Sequence, residues 1–143
     1  MDSLKPDATA RPSIIASVIR RLSGFWTSST NSTAGTSPPV VAIGAAEARR
    51  LLARGEALLV DVREAHEHAQ EHIKGAKLVP LSRFKAHDFS GDCARKNAAI
   101  FYCRSGARTA RHVRHFARTG FAEVYVLDGG LIGWKRAGLA TTA

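Results

Sequence analysis

The stretch Ala98–Thr119, AAIFYCRSGARTARHVRHFART, sets an apolar run directly before a polar turn and a helical pattern. Residues 98–103 are apolar without alternating with polar residues, which is typical of a strand covered on both faces of a sheet. The spacing of the later apolar residues predicts a helix over Arg108–Thr119. A strand, a tight turn and a helix in that order form the repeating unit of a parallel α/β sheet.

The chain from Val40 onward repeats this unit. We predict strands at Val40–Ile43, Ala57–Val62, Lys77–Val79, Ala98–Cys103 and Val124–Leu127, and helices near Ala45–Ala53, Ala65–Glu71, Arg108–Thr119 and Leu131–Arg136. The alternation predicts an α/β fold with a central parallel five-stranded sheet and helices on both faces. Ligands of such sheets bind beyond the carboxyl ends of the strands, so a site is expected in the turn after Cys103.

The charge of the chain is strongly positive. Its 143 residues hold 21 Lys and Arg against 12 Asp and Glu, a net charge of +9, and such a surface attracts anions. The basic residues are scattered and no nucleic-acid-binding motif accompanies them, so we expect no nucleic acid partner. No apolar run reaches the roughly 18 residues that span a bilayer. With only two cysteines, a soluble cytoplasmic protein with free thiols is predicted.

Residues 1–39 differ from the rest of the chain in composition. Residues 13–26 carry large apolar side chains at helical spacing with arginines on the other side, which predicts an amphipathic helix. Residues 27–39 are rich in Ser, Thr and Pro and predict a flexible linker before a domain over 40–143. The candidate roles of the helix are contact with an anionic membrane surface, targeting to an organelle, docking on a partner protein and covering the domain itself.

Cys103 lies at the end of a predicted strand and directly before a predicted helix. Backbone N–H groups of such a turn can converge on one point, and the helix dipole adds partial positive charge there. This field favours a thiolate over a thiol, and Arg104 and Arg108 in the same turn favour it further. Cys103 is therefore a candidate nucleophile, against the alternative that it is a small buried residue of the core.

Other residues near the turn suit a charged sulfur or a bound anion. Gly106 permits the backbone conformation that such a turn needs. Ser105 and Thr109 carry hydroxyl groups that can reach the sulfur or an oxyanion. On a neighbouring strand end, Asp61 and Arg63 are placed to support the loop, although ion pairs at strand ends are also ordinary structural features.

The loop Cys103–Arg108, CRSGAR, resembles the active-site loop of single-domain rhodaneses, which are sulfurtransferases. Further landmarks of that family occur in the right order, namely Asp61-Val62-Arg63-Glu64, His72-Ile73-Lys74-Gly75-Ala76, Val79-Pro80-Leu81, Leu127-Asp128-Gly129-Gly130, Trp134 and Gly138-Leu139. The resemblance extends from Val40 to Leu139. It departs from the family at Glu71, where the family usually has Gly, and in the whole segment before Val40.

The resemblance implies a rhodanese-like fold and a double displacement. The thiolate of Cys103 attacks the outer sulfur of thiosulfate or a similar small anionic donor and holds it as a persulfide, which a thiol or cyanide acceptor then removes. The resemblance implies neither a metal nor an organic cofactor. Cys103 is then catalytic, and the substrate-binding residues are Arg104, Ser105, Gly106, Ala107, Arg108 and Thr109.

Loop length distinguishes this reaction from phosphate chemistry. Four residues separate Cys103 from Arg108, whereas the similar loops of cysteine phosphatases and their arsenate-reducing relatives have one more. A smaller loop suits a sulfur atom and excludes a phosphoryl group on size. The alternative function is a rhodanese-like binding or scaffold module that the helix over 13–26 brings to a membrane surface or a partner protein.

Two histidine pairs could suggest a zinc site and the second cysteine could suggest a disulfide, but the positions of these residues disfavour both. His68 with His72, and His112 with His115, are about one helical turn apart, but no Cys or carboxylate is placed to complete a zinc site. By the resemblance, His72 is structural. Cys93 precedes the strand that ends in the catalytic cysteine, and a strand rises about 3.3 Å per residue, so no disulfide between the two cysteines is expected.

Overall fold

The computed structural model describes residues 37–143, in which five parallel strands form one sheet of order β1-β5-β4-β2-β3. The strands are β1 Val40–Ile43, β2 Ala57–Asp61, β3 Lys77–Leu78, β4 Ala98–Tyr102 and β5 Glu123–Leu127. This arrangement confirms the predicted α/β fold with a parallel five-stranded sheet. The amphipathic helix predicted over 13–26 and most of the predicted linker lie outside the described residues.

Short helices connect the strands. They are α1 Ala45–Ala53, α2 Ala65–Gln70, the 3₁₀ helix Leu81–Ala86, α3 Ser90–Arg95, α4 Ala107–Arg111, α5 Val113–Ala117 and α6 Gly130–Arg136. Helix α1 contacts β2, α5 contacts β1 and α6 contacts β5. Within residues 37–143, every helix is too short or too polar to cross a membrane.

Strand β4 lies in the middle of the sheet, and all five of its residues are buried. Its side chains alternate between the two faces. The ring of Phe101 stacks on that of Phe116 in α5, with 4.5 Å between the centroids, and meets Phe84 of the 3₁₀ helix edge-on at 5.8 Å. Cys103 belongs to the same buried cluster. The catalytic candidate therefore lies on the aromatic face of the sheet, at the carboxyl end of its central strand.

The helix predicted over Arg108–Thr119 is interrupted at His112, which caps the end of α4 and the start of α5. The imidazole Nδ1 of His112 lies 2.8 Å from the carbonyl oxygen of Arg108. A carbonyl oxygen only accepts, so Nδ1 is the donor. In an uninterrupted helix the amide of residue 112 would bond to that oxygen; here the side chain takes its place, and the amide bonds to Thr109 instead, at 3.1 Å.

Two helical segments, the 3₁₀ helix and α3, were not predicted. Each spans six residues, which is too short for a helical period to show in the sequence. Tertiary packing stabilises both. Phe84 in the first and Phe89 directly before the second are buried, with 5.4 Å between their ring centroids. The aromatic cluster thus extends from β4 to the segment that follows β3.

Candidate active site

Cys103 follows β4 directly, and only 1% of its surface is exposed. The amide N–H of Gly106 donates to its Sγ at 3.1 Å. The hydroxyl oxygen of Thr109 lies 3.9 Å from the same sulfur. This hydroxyl donates to the carbonyl oxygen of Gly106 at 3.0 Å, so it can accept from the thiol. The sulfur therefore accepts a hydrogen bond from a backbone N–H group, and a hydroxyl oxygen that can accept from the thiol lies close to it.

Gly106 has a φ of +99°, a conformation that residues with a side chain rarely adopt. A Cβ atom at this position would lie 3.4 Å from the amide nitrogen of Gly129. The positive φ therefore favours glycine here, whereas the distance to Gly129 is an ordinary van der Waals contact. The left-handed turn is what presents the amide of this residue to the sulfur.

The two hydroxyl groups expected at the sulfur differ in position. Thr109 lies at the sulfur, as described, and is buried. The Ser105 hydroxyl instead accepts from the amide N–H of Ala107 at 3.4 Å, and the residue is exposed. Ser105 therefore stabilises the backbone of the turn in this structure and does not contact Sγ.

The N-terminal turn of α6 holds the loop through its backbone. The amide N–H groups of Leu131 and Ile132 donate to the carbonyl oxygens of Cys103 and Arg104, at 2.9 and 3.0 Å. In a trans peptide, C=O and N–H point in opposite directions. Fixing these two carbonyls toward α6 therefore fixes the following amides, those of residues 104 and 105, away from it.

Gly130 makes this contact feasible, because a Cβ atom there would lie 2.5 Å from the carbonyl oxygen of Cys103 and 2.6 Å from that of Arg104. Its φ of +57° also favours glycine. Gly129-Gly130 is one of the landmarks of the resemblance, but the sequence did not predict a role for it in the site. The signal that it offered was a pair of adjacent glycines after a strand, the pattern expected where one backbone approaches another.

Arg108 is held by a carboxylate that was not predicted from the sequence. Glu67 in α2 accepts two hydrogen bonds from its guanidinium, at 2.8 and 2.9 Å. Glu67 also accepts from the amide N–H of Glu64 at 3.0 Å, in a reciprocal cap of α2. The hydrogen bonds from Arg108 lower the pKa of Glu67 to about 2. The second arginine of the loop is therefore neutralised by α2.

Asp61 and Arg63 form a buried pair behind the loop. The guanidinium of Arg63 donates to both carboxylate oxygens of Asp61, at 3.0 and 2.8 Å. Asp61 also accepts from the Tyr102 hydroxyl at 3.0 Å and lies 2.9 Å from Nδ1 of His68. Burial acts to raise the pKa of Asp61, but the hydrogen bonds from Arg63 and His68 and the charge of Arg63 together hold the pKa below its ordinary value. The pair reaches the loop through Tyr102, the neighbour of Cys103, and does not contact Sγ.

Arg104 differs from these two arginines. It is exposed and takes part in no ion pair with residues 37–143. Its charge is therefore free to act on a solute that approaches the loop.

The histidine pairs are stabilised by local contacts. The rings of His68 and His72 stack at 3.7 Å, and Nδ1 of His72 donates to the carbonyl oxygen of His68 at 2.7 Å. The backbone of His72 pairs with Thr142, as suits a structural residue. In the part of the chain that the structure describes, no three His, Cys, Asp or Glu residues are grouped as metal ligands.

Cys93 lies in α3, before the amino end of β4, whereas Cys103 follows its carboxyl end. Both thiols are free. The thiol of Cys93 donates to the carbonyl oxygen of Thr119 at 3.6 Å. Burial, with a contribution from the carboxylate of Asp92, raises the pKa of Cys93 above its ordinary value. This second thiol is therefore a poor candidate for the nucleophile.

Comparison with known proteins places the chain in a family. The model of the rhodanese-like domain matches residues 44–137, a range that includes the whole Cys103 loop. The chain belongs to the rhodanese-like family. The family that the resemblance indicated is therefore confirmed.

Several relatives resemble this rhodanese-like chain over part of their length. It is 37% identical over 84 residues to the uncharacterized protein slr1261 of Synechocystis, and this match covers 59% of the chain and 46% of that relative. It is 32% identical over 89 residues to the thiosulfate sulfurtransferase GlpE of Coxiella burnetii, covering 62% of the chain and 81% of GlpE. The chain thus spans less than half of the first relative and most of the second.

Solved structures show the same fold. The Alr3790 protein of Anabaena superposes with a TM-score of 0.60 at 26% identity, covering 71% of this chain and 82% of that one. A rhodanese-related protein of Thermoplasma volcanium superposes with a TM-score of 0.57 at 22% identity, covering 71% of this chain and 97% of that one. The rhodanese-like sheet and its surrounding helices are therefore shared.

Proposed function

We propose that the protein is a sulfurtransferase that carries sulfur as a persulfide on Cys103. The observation that supports this most directly is the position of its Sγ. This sulfur accepts a hydrogen bond from the amide N–H of Gly106 at 3.1 Å, inside a loop in which four residues separate Cys103 from Arg108. A backbone N–H aimed at a sulfur stabilises negative charge there, both on a thiolate and on a persulfide. The name of the GlpE relative, a thiosulfate sulfurtransferase, supports the same reaction class.

The donor half-reaction uses thiosulfate or a similar small anion. The Cys103 thiolate attacks the outer sulfur, and a new S–S bond forms. The bond between the two sulfur atoms of thiosulfate breaks, and its electron pair leaves with sulfite. One negative charge remains on the persulfide and two leave with sulfite, so that charge is conserved. Arg104, exposed at the loop, attracts the incoming anion.

The acceptor half-reaction restores the enzyme. A thiolate or cyanide attacks the outer sulfur of the persulfide, and the S–S bond to Cys103 breaks with its electron pair returning to Sγ. The acceptor leaves as a persulfide or as thiocyanate. The sulfur is carried on the cysteine itself, so the reaction needs no metal or organic cofactor. Two free thiols suit a reducing compartment, and we propose a cytoplasmic location.

The loop is organised for a sulfur atom more than for a phosphoryl group. Cys103 is 1% exposed, and the carbonyls of the first two loop residues are tied to α6. A phosphoryl group needs the loop to wrap its oxygens with donors. A loop one residue shorter than that of the phosphatases, fixed on one side by α6, leaves less room for such a group.

Intact-mass spectrometry after incubation with thiosulfate tests the proposal. The wild-type chain and Cys93→Ser are expected to gain one sulfur atom, and Cys103→Ser is expected to gain none. A thiol reductant should remove the added sulfur. Cys93→Ser is the matched control because it removes the other thiol of the chain. The absence of an adduct on wild type, or an adduct that survives in Cys103→Ser, would contradict the proposal.

A further inference from the structure

The segment that contains the catalytic loop is unusually basic. Residues 93–122 include seven Lys and Arg and no Asp or Glu. Four of these arginines are exposed in or after the loop; they are Arg104, Arg111, Arg114 and Arg118. A group of exposed charges of one sign attracts a surface of the other sign.

Four carboxylates of the described domain are paired with cations other than these arginines. Asp61 binds Arg63, Glu67 binds Arg108, Glu71 binds Lys135 and Asp92 binds Lys77. None of the four exposed arginines forms an ion pair with residues 37–143. Their charges are therefore not neutralised within the described domain.

The 3₁₀ helix extends this positive surface. A cavity of about 470 Å³ separates it from the junction of α4 and α5, and its lining includes Arg83, Lys85, His112 and His115. Arg83 and Lys85 are exposed and also lack an ion pair within the described residues. We define the basic surface as Arg83, Lys85, Arg104, Arg111, Arg114 and Arg118. Arg83 and Lys85 line the cavity, Arg104 lies in the Cys103 loop, and Arg111, Arg114 and Arg118 lie in α4, in α5 and directly after α5.

Its composition fits a protein partner better than a nucleic acid or a membrane. Val113, 37% exposed between Arg111 and Arg114, is the only large apolar residue exposed within residues 37–143. No exposed Phe, Tyr or Trp ring is therefore available in this range for bases to stack on, and no apolar cluster is available for insertion into lipid. A basic surface of five arginines and one lysine resembles a protein interface in composition, because Arg is enriched there and Lys is depleted.

We propose that the basic surface docks an acidic protein that presents the acceptor thiol to Cys103. This inference rests on the proposed function and names the class of its acceptor. The acceptor thiolate attacks the outer sulfur of the Cys103 persulfide, so that a new S–S bond forms on the partner. The old S–S bond breaks and its electron pair returns to Cys103. The outer sulfur lies about 2 Å beyond Sγ, which brings it closer to a thiol held at the mouth of the loop.

Two synthetic thiol peptides test the charge dependence of this step. Each contains one cysteine, flanked by glutamates in the acidic peptide and by glutamines in the neutral one. With thiosulfate as donor and the full chain as enzyme, we expect kcat/KM for the acidic peptide to exceed that for the neutral peptide by about tenfold at low salt. The preference should largely disappear in about 1 M NaCl, where the Debye length is about 3 Å. Equal kcat/KM values at low salt would overturn the proposal.

Two triple variants of equal charge locate the effect. Arg111→Gln, Arg114→Gln and Arg118→Gln together remove three charges from the basic surface. Arg49→Gln, Arg50→Gln and Arg136→Gln remove three exposed charges elsewhere, from α1 and α6. We expect the first set to lower the acidic preference about fivefold and the second to lower it less than twofold. Turnover of an uncharged small thiol should not change in either. An equal loss in both sets would contradict docking at this surface.

A binding measurement separates this inference from the proposed function. A fluorescent acidic peptide with serine in place of its cysteine cannot react, and its anisotropy should report binding that the first triple variant weakens. Binding without any sulfur transfer would support the surface and refute the sulfurtransferase. Sulfur transfer to small thiols without a preference for the acidic peptide would support the sulfurtransferase and refute the docking surface. Tighter binding to a short DNA duplex or to phosphatidylserine vesicles than to the acidic peptide would overturn the assignment of a protein partner.

Discussion

Gly130→Ala should disturb the candidate active site without changing a side chain that we propose to take part in the reaction. The added Cβ would lie 2.5 Å from the carbonyl oxygen of Cys103, whereas Cβ atoms essentially never approach closer than 3.0 Å. The loop or α6 must therefore move by about 0.5 Å or more, which disturbs the hydrogen bonds from Leu131 and Ile132. Because a 1 Å misplacement can lower a rate about 100-fold, we expect kcat/KM for thiosulfate and cyanide to fall by about 10- to 100-fold.

A matched glycine separates this contact from backbone strain. Gly75 has a φ of +87°, but a Cβ there would meet nothing within 4 Å. Gly75→Ala should cost about 1 kcal/mol for the left-handed conformation alone. Gly130→Ala adds overpacking of about 1–3 kcal/mol, for about 2–4 kcal/mol in all. Urea unfolding and steady-state kinetics on both variants measure the two effects. Wild-type kcat/KM in Gly130→Ala, or an equal loss in Gly75→Ala, would refute the proposed role of the α6 contact.

Three further predictions concern charge and packing. Arg104→Gln should raise KM for thiosulfate several-fold and leave urea stability within about 0.5 kcal/mol, because this arginine has no partner in the described domain; equal KM values would contradict its role in attracting the donor. Glu67→Gln should lower stability at neutral pH by about 1 kcal/mol, a value that allows for solvent screening. Since the folded pKa of Glu67 is about 2, below its ordinary 4.5, its contribution is present above pH 4.5 and lost as the pH falls toward 2; urea midpoints that differ equally at both ends of this range would refute the assignment. Phe101→Ala should lower stability by about 3–5 kcal/mol, measured by thermal unfolding, and an unchanged Tm would contradict its place in the core.

The sequence predicted the sheet well because burial leaves a direct trace in it. Residues 98–103 are apolar without alternation, and β4 is buried on both faces. The turn around Gly106 was predictable for a related reason, since glycine marks a backbone that a side chain would hinder. Both features depend on residues that are neighbours in the chain.

Contacts between distant segments left no such trace. Glu67 and Arg108 are 41 positions apart, and a glutamate in a short polar helix is ordinary in itself. The hydrogen bonds from Leu131 and Ile132 involve only backbone atoms, so the identity of these residues does not indicate them. The break at His112 depends on the rotamer of one imidazole, which composition does not determine. The position of Cys103 could therefore be predicted from the sequence. The contacts that hold the loop around its sulfur could be identified only in the structure.

The arginines around the sulfur divide two tasks that a single charge could not perform together. Arg63 and Arg108 are each bound by both oxygens of a carboxylate, and such a pair has little net field at a distance. They fix geometry. Arg104 has no carboxylate partner in the described domain, so its field reaches solvent. A site that must hold one small loop rigidly and still attract anions needs both paired and unpaired arginines. Here an arginine is paired or unpaired according to whether an acidic residue lies within hydrogen-bonding distance.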